Sequence, residues 1–573
     1  MLRFATLLVL ALILSASAVL GYLWANDLTN SVYGYRSPLT VMPLPTEQHN
    51  NRIVSQVVLV IVDGLRYDVS FEMPFLNGMR QKSSHARLIH RPFTSAPAAW
   101  TTILSGAWPE ISDAPAFDVE PALMRPIAVD TLLASCNRAG QNAGVAASAL
   151  WQGLLPPDSL YLRYFAPSGA ANRDQSTVKR AVSFLQEFSP CLLVVHLDEL
   201  DAVAHRSGAA SDEYRLAALT CDGLLQEIAE ALDLTKSALF IASSFGHLDQ
   251  GGRGGHEPVL LTTPLLASGA GILTGDRSSI DAADIAPTIA VLLGVPVPSA
   301  AQGQVRLDMI RLPVEDKAEA LVGLAAQRVQ LARVYFQNLR LGAVSETALG
   351  DLTVAISSLQ VRNYASAAEL AALSVEQTDR HMAFIRDSRW RETAQRYGAI
   401  VAAAAVLLLI ALWRARSPTT LCVLLASLGS AVLYHVLYLR EGQVYSFSAV
   451  PAGGLTTTVS ASVERTAVVL ACGLAVVLLT GWRERSAYTM AVRTQMYALL
   501  QLWIVGLAAG LCAISTGPRL SWFIPDLRLV FVLLTLIVQG TLLALFAVVL
   551  PLPLVVLHQV MVRTRDIVHR WRK

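Results

Sequence analysis

Charge is scarce in this chain: 15% of its 573 residues are Asp, Glu, Lys or Arg, while 53% are hydrophobic. Both values depart from those of ordinary soluble domains. The surplus apolar residues gather at the N-terminus and after Tyr397. Cysteine is also sparse. None of the six forms a C-x-x-C pair, which excludes a zinc ribbon or a dithiol redox motif. Cys422, Cys472 and Cys512 lie in apolar runs, and Cys136, Cys191 and Cys221 are too few and too scattered for a disulfide framework. They leave room for one disulfide in an outer domain. Basic runs are missing too, apart from the C-terminal "RTRDIVHRWRK", so nucleic acid is not an expected partner.

The long apolar runs place the chain in a membrane. "FATLLVLALILSASAVLGYLWA" is about the roughly 20 residues a bilayer crossing needs. "SASA" resembles a signal-peptide cleavage site, but the apolar run continues past it to Trp24, which favours an uncleaved anchor. Five further spans read as 399–413, 419–439, 466–482, 497–516 and 529–557. With six crossings, Arg3, Arg414, Arg416, Arg483, Arg485, Arg493 and the cluster ending at Lys573 share one side. The excess of Arg and Lys on that side predicts that both termini are cytoplasmic and that residues 27–395 lie on the extracellular or periplasmic face of the cell membrane. The basic tail is then a topology determinant facing anionic lipid.

Within the outer segment, "QVVLVIVDGLRYD", "CLLVVHLD" and "SALFIASS" are short, continuous apolar runs with helical segments between them. That alternation predicts an α/β domain with a mainly parallel sheet and helices on both faces. After Pro313 the periodicity becomes helical and strand runs stop. The expected organisation is an anchor over 1–26, an outer domain over 27–312, a helical stalk over 313–396, and a membrane bundle of about five helices over 397–573.

The motifs "VIVDGLRYD", "TSAPAAWTTILSGAWPE", "HLDELDAVAH", "GHLDQGGRGGHEP", "TPLLASGAGI" and "DIAPTIAVLLGVPVP" follow one another in an order that resembles the alkaline-phosphatase superfamily. The likeness is to its type I phosphodiesterase and nucleotide pyrophosphatase branch, and to the ethanolamine-phosphate transferases of lipid-anchor synthesis. It covers residues 55–303. The resemblance implies an alkaline-phosphatase-like outer domain and, in an active member, two zinc or manganese ions. Such ions clamp a phosphoryl group and lower the pKa of an attacking hydroxyl. It also implies metal-ligand positions at Asp63, Asp201 and His205, and a nucleophile at Ser95 with Thr94 in reserve. Without the resemblance, Asp63 is a turn residue before Gly64, Asp201 and His205 are a solvated helical pair, and Ser95 and Thr94 cap a helix.

One stretch departs from the pattern. Where the family reads roughly S-D-H-G-H-x-D-x-G-G-H-G-G, this chain reads "SSFGHLDQGGRGG". Ser244 stands for the ligand Asp, Phe245 for a ligand His, and Arg253 for the last ligand His. A zinc site needs three or four good donors, and phenylalanine offers none. Arg253 adds a fixed positive charge where a dication belongs. His247, Asp249 and His256 are the nearby candidates for substitute ligands. Two readings follow. In the first, the domain is an inactive scaffold or binding subunit of an envelope complex, with no metal cofactor, and with membrane lipid and other envelope membrane proteins as partners. In the second, it is an active metal-dependent phosphodiesterase or phosphoethanolamine-type transferase acting on lipid or glycan headgroups.

Overall fold

The computed structural model describes residues 2–45, 51–115, 124–155, 160–414, 418–449, 455–481, 486–521, 523–549, 556, 559–560 and 562–564. The chain divides into two compact units. One comprises Met1–Val32, Arg389–Leu520 and Pro525–Lys573; the other comprises Tyr33–Ser388 and Ser521–Ile524.

The second unit is built on eight strands: β1 (Gln56–Val62), β2 (Ser84–Ile89), β3 (Ala143–Ser148), β4 (Leu162–Ala166), β5 (Leu192–Leu197), β6 (Ser237–Ser243), β7 (Thr262–Gly269) and β8 (Gly275–Asp281). They form one sheet in the order β4-β3-β5-β1-β6-β7-β2-β8. β4, β3, β5, β1 and β6 are parallel neighbours, β7 runs antiparallel to both β6 and β2, and β8 is parallel to β2. The expected α/β class, a mainly parallel sheet covered on both faces, is what the chain forms.

The uninterrupted apolar run of β1 has a simple cause. Val57, Leu59 and Ile61 pack into the core on one face of the sheet, and Val58, Val60 and Val62 into the core on the other. Side chains alternate along a strand, so a strand covered twice has no solvent-facing set. Each fully buried branched side chain contributes roughly 1.5–3 kcal/mol. A single polar residue in this run would therefore be costly, which makes any polar group at its end informative.

After Pro313 the same unit is helical. It holds Val314–Leu339, Glu346–Gln360 and the first part, to Ser388, of a 51-residue helix, Tyr364–Arg414, whose remainder is counted in the other unit. That helix runs without a break through position 396, where the stalk was expected to meet the bundle. Ala, Leu, Glu, Arg and Gln dominate the segment before Tyr397, and apolar helix formers dominate after it, so no residue stops the helix. Among the described residues, six helices are long and apolar enough to cross a membrane, including Leu8–Tyr33, Tyr364–Arg414 and Leu527–Val549. This is a membrane protein. Of the last expected span, 529–557, the helix Leu527–Val549 is described, and most of the residues beyond it lie outside the described ones. Most of the basic tail, from Arg565 on, lies outside the described residues.

Candidate functional site

β5, β1 and β6 lie side by side and parallel, so their carboxyl ends open along one edge of the sheet. Sheets of this kind place their sites there. Asp63 follows β1, Asp198 follows β5, and Ser244 follows β6. The helix Glu199–Ser207 then carries Asp201 and His205 one turn apart on one face. Gly64 lets the β1 loop approach closely. Its φ is +78°, and a Cβ there would stand 3.0 Å from Asp201 Cα and from His247 Cδ2.

Asp63 is 1% exposed. Its Oδ1 accepts a hydrogen bond from Trp100 Nε1 at 2.8 Å and another from the Ser244 hydroxyl. His196, on β5, places Nε2 3.0 Å from Oδ2, at ion-pair distance but out of line for a hydrogen bond. Burial lowers the pKa of this imidazole, the Asp63 carboxylate raises it, and the net shift is upward. Trp100 comes from the wholly buried helix Ala96–Ser105. It stacks on Trp151 at 5.0 Å and meets the His196 ring edge-on at 4.6 Å. Phe245 is fully buried in the same core cluster as Trp100 and Trp151. The carboxylate is thus enclosed by indole, hydroxyl and imidazole in an aromatic, dry setting.

Asp201 is held differently. Arg253 approaches it side-on, with Nε 2.9 Å from Oδ1 and Nη2 3.1 Å from Oδ2. His247 Nε2 lies 2.6 Å from Oδ1, and His205 Nε2 stands at 3.6 Å. Arg253 Nε is also 3.2 Å from His205 Nε2. Burial raises the Asp201 pKa, but Arg253 and His247 outweigh it and hold the carboxyl well below the usual carboxylate range. The Arg253 guanidinium lies over the Phe245 ring, 4.3 Å from its centroid, a favourable cation–π placement. Two of the three replaced positions therefore support each other, and the third, Ser244, satisfies Asp63.

The candidate nucleophiles face the chain itself. Ser95 sits at the cap position of Ala96–Ser105 yet makes no capping bond; its hydroxyl donates to Pro115 O at 3.1 Å. Thr94 Oγ1 accepts from Gly254 N at 2.8 Å and donates to Gly255 O at 3.3 Å, which ties it to the glycine-rich loop beside Arg253. Both residues are buried. Of the substitute candidates, His247 joins Asp201. Asp249 is drawn to Arg66 instead and is 73% exposed at its side chain. His256 keeps a buried Nδ1 without a partner, and no described contact joins it to Asp63 or Asp201.

Sequence reasoning missed His196, Trp100 and Trp151. A histidine inside the otherwise apolar "CLLVVHLD" was the available signal, since a strand buried on both faces tolerates a polar group only where it has a partner. The glycine-rich loop also has a reason independent of metal. Gly251 has φ +88°, and a Cβ there would lie 2.7 Å from Ala204 O of the Asp201 helix.

Asp201, His205 and His247 each offer one ligand atom, all within 4.8 Å of one another, the outline of a partial metal site. The zinc or manganese ions that the superfamily resemblance implies do not fit the residues as they stand. Arg253 is permanently charged and already bonds two of the three donors, so a dication there meets a like charge. Around Asp63, Phe245 has no lone pair and Ser244 is already spent as a donor.

No family model matches the chain. Among curated proteins it is similar to the human GPI ethanolamine phosphate transferase 3, catalytic subunit, with 24% identity over 289 residues, covering 44% of this chain and 26% of that protein. It is also similar to the human GPI ethanolamine phosphate transferase 2, catalytic subunit, with 23% identity over 329 residues, covering 53% and 32% respectively. The chain thus aligns with about a quarter to a third of the length of these relatives. Among solved structures, murine ectonucleotide pyrophosphatase/phosphodiesterase 5 shows 13% identity over 42% of this chain and 96% of its own, at a TM-score of 0.35. A protein in the alkaline phosphatase superfamily from Vibrio parahaemolyticus shows 11% identity over 48% and 75%, also at 0.35.

Proposed function

We infer that this membrane-embedded relative of the GPI ethanolamine phosphate transferases, a member of the alkaline-phosphatase superfamily, keeps the superfamily domain as a non-catalytic scaffold or binding subunit. One observation carries the reading: the side-on pair of Arg253 with Asp201, stacked on Phe245. A tethered cation stands where a metal ligand is expected, and the carboxylate it neutralises needs no ion. The partners proposed for such a scaffold are membrane lipid and other membrane proteins of the envelope. The test is the metal content of the full chain purified in detergent, together with hydrolysis of an aryl phosphodiester. The scaffold reading expects neither bound zinc nor manganese, and no metal-dependent turnover. Bound metal with turnover abolished by Ser95→Ala overturns it.

A second reading has one observation in its favour. Asp201, His205 and His247 cluster closely enough to ligate a single ion if Arg253 swings away. The domain would then be a rewired phosphodiesterase or phospho-group transferase acting on lipid or glycan headgroups. One metal equivalent, lost on His247→Ala, would favour it.

We place residues 27–395 on the outer face and both termini in the cytoplasm, on the strength of the Arg and Lys asymmetry between loops. Asp212 has a side chain 99% exposed. A cysteine replacing it should react with an impermeant maleimide from outside, and one replacing Arg570 only after permeabilisation. The reverse pattern overturns this topology.

A further inference from the structure

The sheet-bearing unit has a cavity of about 240 Å³ whose lining shares no residue with the cleft of Asp63 and Asp201. Its walls come from Arg91 after β2, the turn after the helix Ala96–Ser105, the helix Val314–Leu339, the part of Tyr364–Arg414 before Ser388, and Phe523. Hydrogen bonds fix this frame. Gln302 N donates to Gly106 O at 2.7 Å, and Trp108 N donates to Gln302 Oε1 at 2.9 Å. From the helix behind, Gln327 Nε2 donates to Ser299 O and Arg328 Nη2 to Gly303 O, both at 2.7 Å. A cavity framed in this way is formed before any ligand arrives.

Three guanidiniums and two carboxylates line it: Arg91, Arg328, Arg386, Glu110 and Asp379. Arg328 is fully buried and forms the floor. It spends Nη1 on Asp379 and Nη2 on Gly303 O, and its buried Nε has no partner among the described residues. Arg91 lies over the Trp108 ring, 4.2 Å from the centroid, and stands 3.7 Å from Glu110, too far for a hydrogen bond. Arg386 donates from Nε to Asp387 at 3.3 Å, and no described bond uses either of its Nη atoms. Each lining carboxylate thus faces one guanidinium, while all three guanidiniums keep unspent N–H groups. The surplus is in charged donors, so the partner they lack is an anionic acceptor.

We propose that this cavity binds a phosphate ester, its phosphate oxygens between Arg91 and Arg386 above Arg328, and its organic part against Trp108, Tyr335 and Phe523. The planar fork of a guanidinium presents paired N–H groups that match phosphate oxygens. Arg91 and Arg386 are partly exposed and free to turn toward the ligand, whereas Arg328 is fixed by its two bonds and contributes its charge from below. The aromatic side chains, with Leu331 and Met382, give the cavity apolar walls. An inorganic ion would leave those walls uncovered, and an ester covers them. A soluble phosphate ester and a lipid headgroup share this chemistry, and the test below separates them. The proposal does not rest on the scaffold reading, because the cavity is built without any residue of the cleft.

The test titrates the full chain in a phosphate-free maltoside detergent with glycerol phosphate, dihexanoyl phosphatidic acid and inorganic phosphate, read by calorimetry. The expected result is saturable binding of an ester at one site per chain, tighter than inorganic phosphate. Arg91→Gln and Arg386→Gln should each weaken it about tenfold or more, with the melting temperature of the free protein unchanged. Ser95→Ala, in the cleft, should leave the affinity as it is. Equal affinity for the two esters identifies a soluble ligand, and preference for the dihexanoyl ester identifies a lipid headgroup. Absence of ester binding, binding that survives both Arg substitutions, or inorganic phosphate binding as tightly as the esters overturns the proposal. Metal content, measured on the same preparation, reads the scaffold reading separately, so the two failures are told apart.

Discussion

The two carboxylates of the candidate site are held in different ways. Asp63 lies deep, among aromatic rings, and its neighbours are an indole N–H, a hydroxyl and an imidazole. Asp201 lies at the rim and is neutralised by a guanidinium, with His205 reaching solvent. The difference follows from where a charge is tolerated. A permanent cation buried beside Asp63 would need every donor satisfied in an apolar pocket, whereas hydroxyl and indole donors stabilise a buried carboxylate at lower desolvation cost. Beside Asp201, Arg253 is only 8% exposed at its side chain, but it stacks on Phe245 and fits the carboxylate side-on. Asp63 is thus held by dipoles and an imidazole, and Asp201 by a charged fork seated on an aromatic ring.

The largest test of this comparison restores both halves together. Ser244→Asp, Phe245→His and Arg253→His would place a second carboxylate beside Asp63 and remove the cation from Asp201. Without metal, the triple variant should melt well below wild type, because two buried carboxylates repel each other. Zinc at a hundredfold excess over its Kd should restore about 2.7 kcal/mol, while the wild-type melting temperature stays unchanged. A thermal scan with and without zinc reads both. A wild type that zinc stabilises would break the comparison.

Next is Arg253→Ala. It leaves Asp201 with His247 as its main partner and uncovers the Phe245 ring. Removing one member of a mostly buried pair should cost about 3 kcal/mol, read as a lower denaturation midpoint. Ser244→Ala acts on the inner half, where Trp100 still donates to Asp63. Losing one hydrogen bond to a buried carboxylate should cost about 1.5–2 kcal/mol. If Ser244→Ala proved costlier than Arg253→Ala, the ranking of the charged hold on Asp201 above the dipolar hold on Asp63 would be wrong.

The smallest expected effect is a slope. Asp174 is buried and has no cation like that of Asp201. Burial first, then Asp198 and Glu199, push its carboxyl up to about 7. A raised carboxyl favours the folded state while protonated, so its contribution is full below the unfolded value of about 4 and is lost as pH rises through about 7. Asp201, shifted down, works in the opposite sense: its contribution is full above about 4 and drains as pH falls further. Between pH 4 and 7, Asp174→Asn should flatten the fall in stability with rising pH, measured by denaturant midpoints across that range.

Much of this was legible without coordinates. The apolar runs before Asp63, Asp198 and Ser244 announced strands covered on both faces, and the lengths of the membrane segments announced the spans. Ser244, Phe245 and Arg253 were readable as departures because they interrupt an otherwise recognisable spacing. What surrounds Asp63 and Asp201 was not readable. His196 belongs to one strand, Trp100 to a helix after another and Asp63 to a third, so their meeting depends on strand order. The long helix Tyr364–Arg414 hid its continuity because a change from mixed to apolar composition looks like a boundary even when the backbone does not break.

The sequence by itself determined the layers, the membrane segments and the absence of good metal donors at three positions, because periodicity, length and donor chemistry are local properties. Only the tertiary structure decided that Arg253 reaches Asp201, that Phe245 lies beneath it, and that Asp63 is sealed by Trp100 and Ser244. Those pairings join residues far apart in the chain across parallel strands and across the two faces of one sheet. The order of strands β5, β1 and β6 and the face each side chain takes are outcomes of packing the whole sheet, and no local stretch of sequence encodes them.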